Sequence, residues 1–446
     1  MPFMFIFGFS KAARIVPQRG LAVNGATASL ARRSGMADFG ILVGMDNSDL
    51  KIIGLMVERS REFGRELCKG VIDYAQERRD WEVRFLAPAD LDRATLRTFA
   101  GFVARVTTPV IARRLDATQK PVVDVFYGTP HPHFAIVKER HESIGRLAAE
   151  HFLDRRFRHF ACCPYGSGKT SVYCRAAFVQ RLRRAGRSCA VFASDRHVDY
   201  EPDDRAVIGE RFARPPDAAQ LGLWLKSLPK PVAIFCTDDL RAWQTIEICR
   251  EHGIRVPSDA AILGLDNDLL ICGCTHPTLS SIDPNTREIG RVAAETLAEM
   301  IERGRPAKPV IRQIEPRGVV ARASTETYPL DPPWLSDALV YIARNIARGI
   351  SATDVFAHLG RSQPTVNRIF RRELGITVQK AVMCARIEAA KRLLAATDLQ
   401  MADIARRTGF ASPTYFMQKF AAATATTPSR WRARHAHPDL LRRPTP

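Results

Sequence analysis

Residues 232–252, Val232-Ala-Ile-Phe-Cys-Thr-Asp-Asp-Leu-Arg-Ala-Trp-Gln-Thr-Ile-Glu-Ile-Cys-Arg-Glu-His252, decide the fold. Ala233–Cys236 is a short unbroken apolar run of strand length, and Leu240–His252 carries its apolar residues at helical spacing. The same pair of signals recurs on the N-terminal side. Lys51–Val57 reads as a buried strand, and Glu62–Gln76 as a helix with Phe63, Leu67, Val71, Tyr74 and Ala75 on one face. Phe102–Ala104 and Pro121–Phe126 (strands), Ser143–Leu153 (helix), His159–Cys163 (strand), Val172–Ala185 (helix), Cys189–Ala193 (strand) and Ala218–Ser227 (helix) complete the series. Strands separated by helices predict parallel sheets with crossover connections, hence an α/β architecture. About 270 residues is long for one sheet, so two lobes are expected.

The chain has 446 residues, with 66 Lys plus Arg against 47 Asp plus Glu and a formal charge of +19. At ~150 residues per domain that length suggests about three compact units. A hydrophobic fraction of 46% excludes disorder for most of the chain. No run of ~18 uncharged apolar residues exists, so no membrane span is expected. The charge is uneven: Leu335–Pro446 holds 18 basic and 7 acidic residues, a surplus of +11, against +8 in everything before it. That concentration points to a polyanionic partner such as nucleic acid. Ten scattered cysteines, without the paired spacing of a zinc site, read as free thiols in a reducing compartment. Neither a metal nor a cofactor is expected. After the apolar Met1–Phe9 come Lys11 and Arg14, the reverse of a secretory signal, so the protein is expected in the cytoplasm, with residues 1–50 an unassigned leader.

Past Arg322 the composition changes through Ser324–Pro333, a linker signature, and the apolar period then becomes helical throughout. Two segments there share a helix, tight turn, helix layout. In the first, Ala352–Leu359 is followed by the turn Gly360-Arg361, with Ser362 placed to cap a helix over Gln363–Glu373. Val366, Ile369 and Phe370 face inward on it, and Gln363, Thr365, Asn367, Arg368, Arg371 and Arg372 outward. In the second, Met401, Ile404 and Ala405 line a short helix, Gly409-Phe410-Ala411 turns the chain, and Ser412-Pro413 opens a helix with Phe416 and Phe420 inside. Thr414, Met417, Gln418 and Ala421 are outside. Gln379–Ala396 reads as one connecting helix.

Over about a hundred residues, Ser336–Arg434, this region resembles the AraC/XylS family of bacterial transcription regulators. The motifs are Ala385-Arg386-Ile387 with Ala390-Lys391-Arg392-Leu393-Leu394, Ile404-Ala405 with Gly409-Phe410, Tyr415-Phe416 with Phe420, and Thr427-Pro428 with Trp431-Arg432. Where that family commonly has glycine before the Thr-Pro pair, this chain has Ala425, and its usual basic pair after the last Phe is Ala421-Ala422. Arginine pairs bidentately with guanine, and Asn or Gln with adenine. The candidate DNA contacts are therefore Gln363, Thr365, Asn367, Arg368, Arg371, Thr414 and Gln418; each alone also reads as an ordinary solvated polar residue.

The α/β part, Lys51–Arg322, resembles the lactose-repressor-like periplasmic-binding fold. The motifs are Val232–Ala242, Gly253-Ile-Arg-Val-Pro257, Ala261–Asn267, Pro277–Ile282 and Ile289-Gly290. The resemblance implies a small-molecule effector, commonly a sugar, held between two lobes, and the likeness of both parts to dimeric regulators implies a homodimer. By position it assigns effector binding to Arg175, Asp238 and Asp266, with Arg59–Arg65 also lining the cleft. Arg175 also reads as a partner for a surface acid, and Asp238 as the cap of the helix near Leu240. The expected organisation is a leader (1–50), a sensor domain (51–322), a linker (323–334), an all-α DNA-binding domain with two helix-turn-helix units (335–434) and a tail (435–446).

Two rival readings exist. Tyr165-Gly-Ser-Gly-Lys-Thr170 follows a strand and precedes a helix, as the phosphate loop of a nucleotide-hydrolysing regulator does, but its required first glycine is Cys163. A DNA-repair methyltransferase needs a reactive cysteine near the reader, and Cys384 is expected to pack against the connecting helix's neighbours.

Overall fold

The computed structural model describes residues 50–90, 96–126, 131–164, 166, 168–193, 214–305 and 310–435. The leader and the residues beyond His435 in the tail lie outside the described residues, as do Tyr165 and Ser167 of the glycine-rich loop.

Strand β1 (Lys51–Met56) starts a six-stranded parallel sheet with β2 (Trp81–Phe85), β3 (Gly101–Ala104), β4 (Val122–Asp124), β5 (Ala135–Glu139) and β11 (Ile311–Ile314), in the order β2-β1-β3-β4-β5-β11. A second sheet contains β6 (His159–Cys163), β7 (Ala190–Val191), β8 (Val232–Cys236), β9 (Ala260–Leu265), β10 (Ser280–Asp283) and β12 (Gly318–Val320), in the order β7-β6-β8-β9-β10-β12. Among the described strands only β12 pairs antiparallel. The inner strands are apolar at consecutive positions because helices cover both faces: Phe102, Val103 and Ala104 are all fully buried, as are Ala233–Cys236.

The strand order shows how the two lobes are joined. The chain passes from the first lobe to the second at Arg140, returns through Asp283–Asn285, and crosses again between Ile314 and Gly318. These crossings are tied together. Arg140 donates its amide to the Ile314 carbonyl (2.9 Å) and its guanidinium to Glu315 (2.8 Å). The Arg317 amide donates to the Asp283 carbonyl (2.9 Å), and Asn285 Nδ2 to the Glu315 carbonyl (3.3 Å). Asn285 takes φ 66°, a left-handed conformation that Asn tolerates better than most residues.

In the first lobe helix α1 (Glu62–Arg78) packs on the last sensor helix, Thr286–Arg303, at backbone contact distance. A Cβ on Gly70 would stand 1.9 Å from the Arg287 carbonyl oxygen, and one on Gly290 2.0 Å from that of Leu67. This reciprocal pair lets Leu67 and Val71 interleave with Ile289, Ala293 and Leu297. Further helices are α2 (Pro109–Asp116), α3 (His141–Asp154), α4 (Lys169–Arg184), α5 (Ala218–Ser227), α6 (Asp239–Glu251), α7 (Leu269–Cys274) and α8, the Thr286–Arg303 helix already met.

The start of the expected linker is anchored in the second lobe. Ser324 and Thr325 are fully buried, with Ser324 Oγ donating to the Ile262 carbonyl (2.6 Å) and Thr325 Oγ1 bonded to Ser280 (2.8 Å) and His151 (2.9 Å). Small hydroxyl residues read as linker by composition, yet each here satisfies a buried polar partner.

The last domain is all helix: α9 (Trp334–Asn345), α10 (Ala352–Leu359), α11 (Gln363–Leu374), α12 (Val378–Ala396), α13 (Met401–Arg407), α14 (Pro413–Thr424) and α15 (Pro428–His435). Its two cores share α12. Val378, Ala381 and Val382 join Val355, Val366 and Phe370, while Ile387, Ala390 and Leu394 join Ile404, Phe416 and Phe420. Among the described residues all ten cysteines are free. Cys384 is exposed on α12 rather than packed, because the buried stripe of that helix passes through Val382, Ile387 and Ala390 instead.

Ala425 ends α14 with φ 55°, a left-handed position that favours glycine. An L-residue there costs roughly 1–2 kcal/mol, and glycine avoids the clash of Cβ with the backbone. Ala425→Gly is expected to stabilise the DNA-binding domain by up to about 1 kcal/mol, read as a higher midpoint in thermal or urea unfolding. An unchanged or lowered midpoint contradicts this.

Candidate functional site

In parallel sheets the loops that leave the carboxyl ends of the strands converge on one side, and the two lobes turn these sides toward each other. The first lobe contributes the loop after β1. Glu58 pairs with Arg105, which follows β3, and the Arg105 guanidinium lies 4.4 Å above the ring of Phe126, after β4. Arg59 stacks 4.5 Å over Phe85. Arg61 reaches across: its Nη1 stands 2.8 Å from Asp238 Oδ2 of the second lobe. Beside it the Glu62 amide donates to Asp268 Oδ2 (3.3 Å). Of the Arg59–Arg65 stretch, Arg61 and Glu62 thus bond to the opposite lobe.

Asp238 and Asp268 each serve twice. Asp238 Oδ1 accepts from the Leu240 amide (2.7 Å) at the start of α6, and its second oxygen holds Arg61. Asp268 Oδ1 accepts from Leu270 (3.0 Å) at the start of α7, and its second oxygen holds Glu62. Capping and cleft positions therefore coincide, because a helix that starts at a strand's carboxyl end turns its first residues toward the other lobe.

The floor of the second lobe is acidic. Asp239 is buried, with Ser281 Oγ 2.6 Å from Oδ1 and the Asp268 amide 2.8 Å from Oδ2. Burial pushes its carboxyl up to about 8. Asp266, at the end of β9 with φ 105°, is also pushed well above the ordinary carboxylate range, by burial and then by Asp238 and Asp239. The positions assigned to Asp238 and Asp266 are thus brought together. Arg175 lies in the second turn of α4, half-buried near Cys162. Opposite, Glu139 ends β5 and, against the upward push of burial, is held at about 2 by its bond to His141 (3.1 Å) and by Thr170 (3.1 Å). His141 stacks on the half-exposed Tyr173 ring at 5.6 Å.

An unfolded aspartate loses its proton near 4, whereas Asp239 keeps it to about 8. Asp239 therefore contributes stability that is full below pH ~4 and is lost as the pH rises toward 8, at no more than about 1.4 kcal/mol per pH unit. Asp239→Asn keeps the shape and removes the titrating proton. It is expected to flatten stability between pH 5 and 8 in urea titrations; an unchanged slope contradicts the assignment.

Among the described residues of the glycine-rich loop, Gly168 has φ −58° at the start of α4 and the Thr170 hydroxyl donates to Glu139 (3.1 Å), an arrangement that gives the phosphate-loop reading no support.

In the DNA-binding domain, Gln363, Arg368 and Arg371 are exposed on α11 and Thr414 and Gln418 on α14, with Thr365 half-buried. Val366, Phe370, Phe416 and Phe420 are fully buried behind them. Asn367 differs from its neighbours: it is half-buried, and its Oδ1 accepts the Val378 amide (3.1 Å), joining α11 to α12. Ser412 accepts the Tyr415 amide (3.2 Å) as a cap, whereas the Ser362 hydroxyl donates to Thr365 Oγ1 (2.9 Å) instead of accepting from the backbone. Sequence reasoning could not separate these two serines, because capping depends on the rotamer and not on the residue type.

Comparison with known proteins agrees with this geometry. Residues 149–325 match the periplasmic binding protein-like domain family, and residues 355–434 a helix-turn-helix domain family. The xylose operon regulatory proteins of Haemophilus influenzae and Escherichia coli are each 25% identical to the chain. The alignments cover 85% of this chain and 97% and 96% of those proteins. A solved structure described as the xylose-binding transcription activator xylR shares the fold over 86% of this chain and 98% of its own, at 22% identity and a TM-score of 0.52. No helix among the described residues is long and apolar enough to cross a membrane. The chain is a transcription regulator of XylR-like architecture, a periplasmic-binding-like sensor domain fused to an AraC-type helix-turn-helix DNA-binding domain.

Proposed function

We propose that the chain is a sugar-responsive, sequence-specific regulator without catalytic activity, acting in the cytoplasm as a homodimer, with a pentose of the xylose type as its effector. The observation that carries this reading is the Arg61–Asp238 bridge across a two-lobed cleft, on a chain that ends in two helix-turn-helix units. Asp238, Asp266 and Arg175 are assigned to the effector. Carboxylate and guanidinium groups suit vicinal hydroxyls, because each forms two directed, charge-assisted hydrogen bonds. A sugar hydroxyl entering between Arg61 and Asp238 contacts both lobes at once, so its binding energy depends on how closed they are. Such differential affinity is what links a ligand to a conformational equilibrium. The xylose operon regulatory proteins among its relatives support a pentose.

Gln363, Thr365, Arg368 and Arg371 of α11 and Thr414 and Gln418 of α14 face the DNA. Asn367, whose carbonyl oxygen already holds α12, leaves base reading to its exposed neighbours. Arg368→Ala is expected to weaken operator binding by about 1–3 kcal/mol and relax the preference at one base pair. Unchanged affinity in a salt-controlled titration removes Arg368 from the interface. The sensor half of the proposal is tested by thermal-shift measurements on the full chain against a panel of monosaccharides. A bound sugar at a hundred times its Kd adds about 2.7 kcal/mol of stability, so a pentose is expected to raise the sensor midpoint clearly. No shift with any monosaccharide refutes the sugar assignment.

A further inference from the structure

We propose that Asp116, His131 and His133 bind one divalent first-row transition ion of the zinc type, at the edge of the first lobe remote from the cleft. Asp116 ends α2 and the two histidines precede β5, so all three lie at the amino-terminal edge of the sheet. One ligand atom from each falls within 4.8 Å of the others. His133 Nδ1 is 3.2 Å from Asp116 Oδ1, and His131 Nε2 is 3.8 Å from Oδ2, so the two carboxylate oxygens face different imidazoles. The longer separation exceeds a hydrogen bond but suits two ligands that each stand ~2.0–2.2 Å from a shared ion.

The surroundings hold these groups in place. The His131 ring stacks on Phe134 at 4.2 Å, and the two imidazoles meet edge-on at 5.5 Å. Arg305, just past α8, donates to Asp116 and to Gln119 Oε1 (2.9 Å), an outer partner that orients the carboxylate. The His133 amide approaches His131 Nδ1 at 3.4 Å, a long contact that gives way when Nδ1 carries the proton and Nε2 faces the ion. Two imidazoles and a carboxylate select zinc or nickel over calcium or magnesium, which prefer all-oxygen shells. Water completes the coordination. An ion here pins the end of α2 to the approach to β5 and, through Arg305, to the end of α8.

The test is calorimetric titration of zinc chloride into the full chain, stripped with chelator, on a Cys274→Ser/Cys384→Ser background that removes the exposed thiols. One zinc per chain is expected to bind, with magnesium chloride giving no heat. Both His133→Ala and His131→Gln/His133→Ala are expected to bind at least roughly 10–100-fold more weakly, the loss known even for outer partners. His133 is exposed, so the single variant's metal-free midpoint reports an intact fold and decides the matter if the double variant does not fold. No zinc uptake by the parent, equal uptake by the histidine variants, or equal binding of magnesium overturns the site.

Discussion

Arg241→Met is expected to destabilise the sensor domain by about 3–5 kcal/mol, because it leaves a buried carboxylate without its partner. Arg241 and Asp217 form a two-pronged ion pair, with Nη1 2.9 Å from Oδ1 and Nη2 2.8 Å from Oδ2, and both side chains are 2% exposed. The guanidinium also donates from Nε to Cys163 Sγ (3.2 Å) and lies 5.2 Å over the Phe192 ring. Burial raises the Cys163 thiol, but Cys236 and Arg241 overcome it and draw it below its ordinary range, so removing the cation also disturbs this thiol. Pairing the change with Asp217→Leu should recover much of the loss, since an apolar pair of similar volume is often as stable as a buried ion pair. Urea unfolding followed in the sensor transition checks both statements. A single variant within about 1 kcal/mol of the parent contradicts the account.

Gly409→Val is expected to cost operator affinity on the order of 10–100-fold while leaving the sensor's thermal response to sugar intact. Gly409 has φ 73°, which a β-branched residue rarely takes. An added Cβ would stand 2.3 Å from the Ile346 carbonyl oxygen and 2.9 Å from Gly349 Cα. At this point the second helix-turn-helix unit touches the first directly. Arg386 reinforces the contact, donating to the carbonyls of Gly349 (3.2 Å) and Ile350 (3.1 Å) while lying 5.6 Å over Phe410. Forcing the units apart changes the spacing between α11 and α14, so both cannot meet successive grooves together. Fluorescence anisotropy on operator fragments at fixed salt reads the loss, and parental affinity in a folded variant contradicts it.

The helical domain was legible because its signals are local. Gly360 and Gly409 occupy left-handed turns, Ser412-Pro413 opens a helix, and the buried face of α11 is Val366, Ile369 and Phe370 as the spacing predicts. The α/β alternation was legible up to Leu240–His252 for the same reason. What could not be read is what depends on distant partners. Lys138 and Glu139 are buried polar residues that hide strand β5, and Ile311–Ile314 is an edge strand with polar residues inside its run. Arg61 and Asp238 are 177 residues apart, so nothing local distinguishes Arg61 from Arg59 or Arg65. Helical periodicity puts Asn367 on the outward face of α11 but does not reveal that the next helix begins within its reach. The histidine and aspartate cluster is not legible in the sequence because Asp116 ends α2 while His131 and His133 lie in the approach to β5, outside any recognised ligand spacing.

Titration of promoter fragments with the full chain at fixed salt, with and without xylose, tests the central claim most directly. Sequence-specific retention that changes by ~5- to 150-fold on adding the pentose is the predicted result. A chain that retains no promoter fragment, or whose affinity for DNA is the same with every monosaccharide, contradicts it.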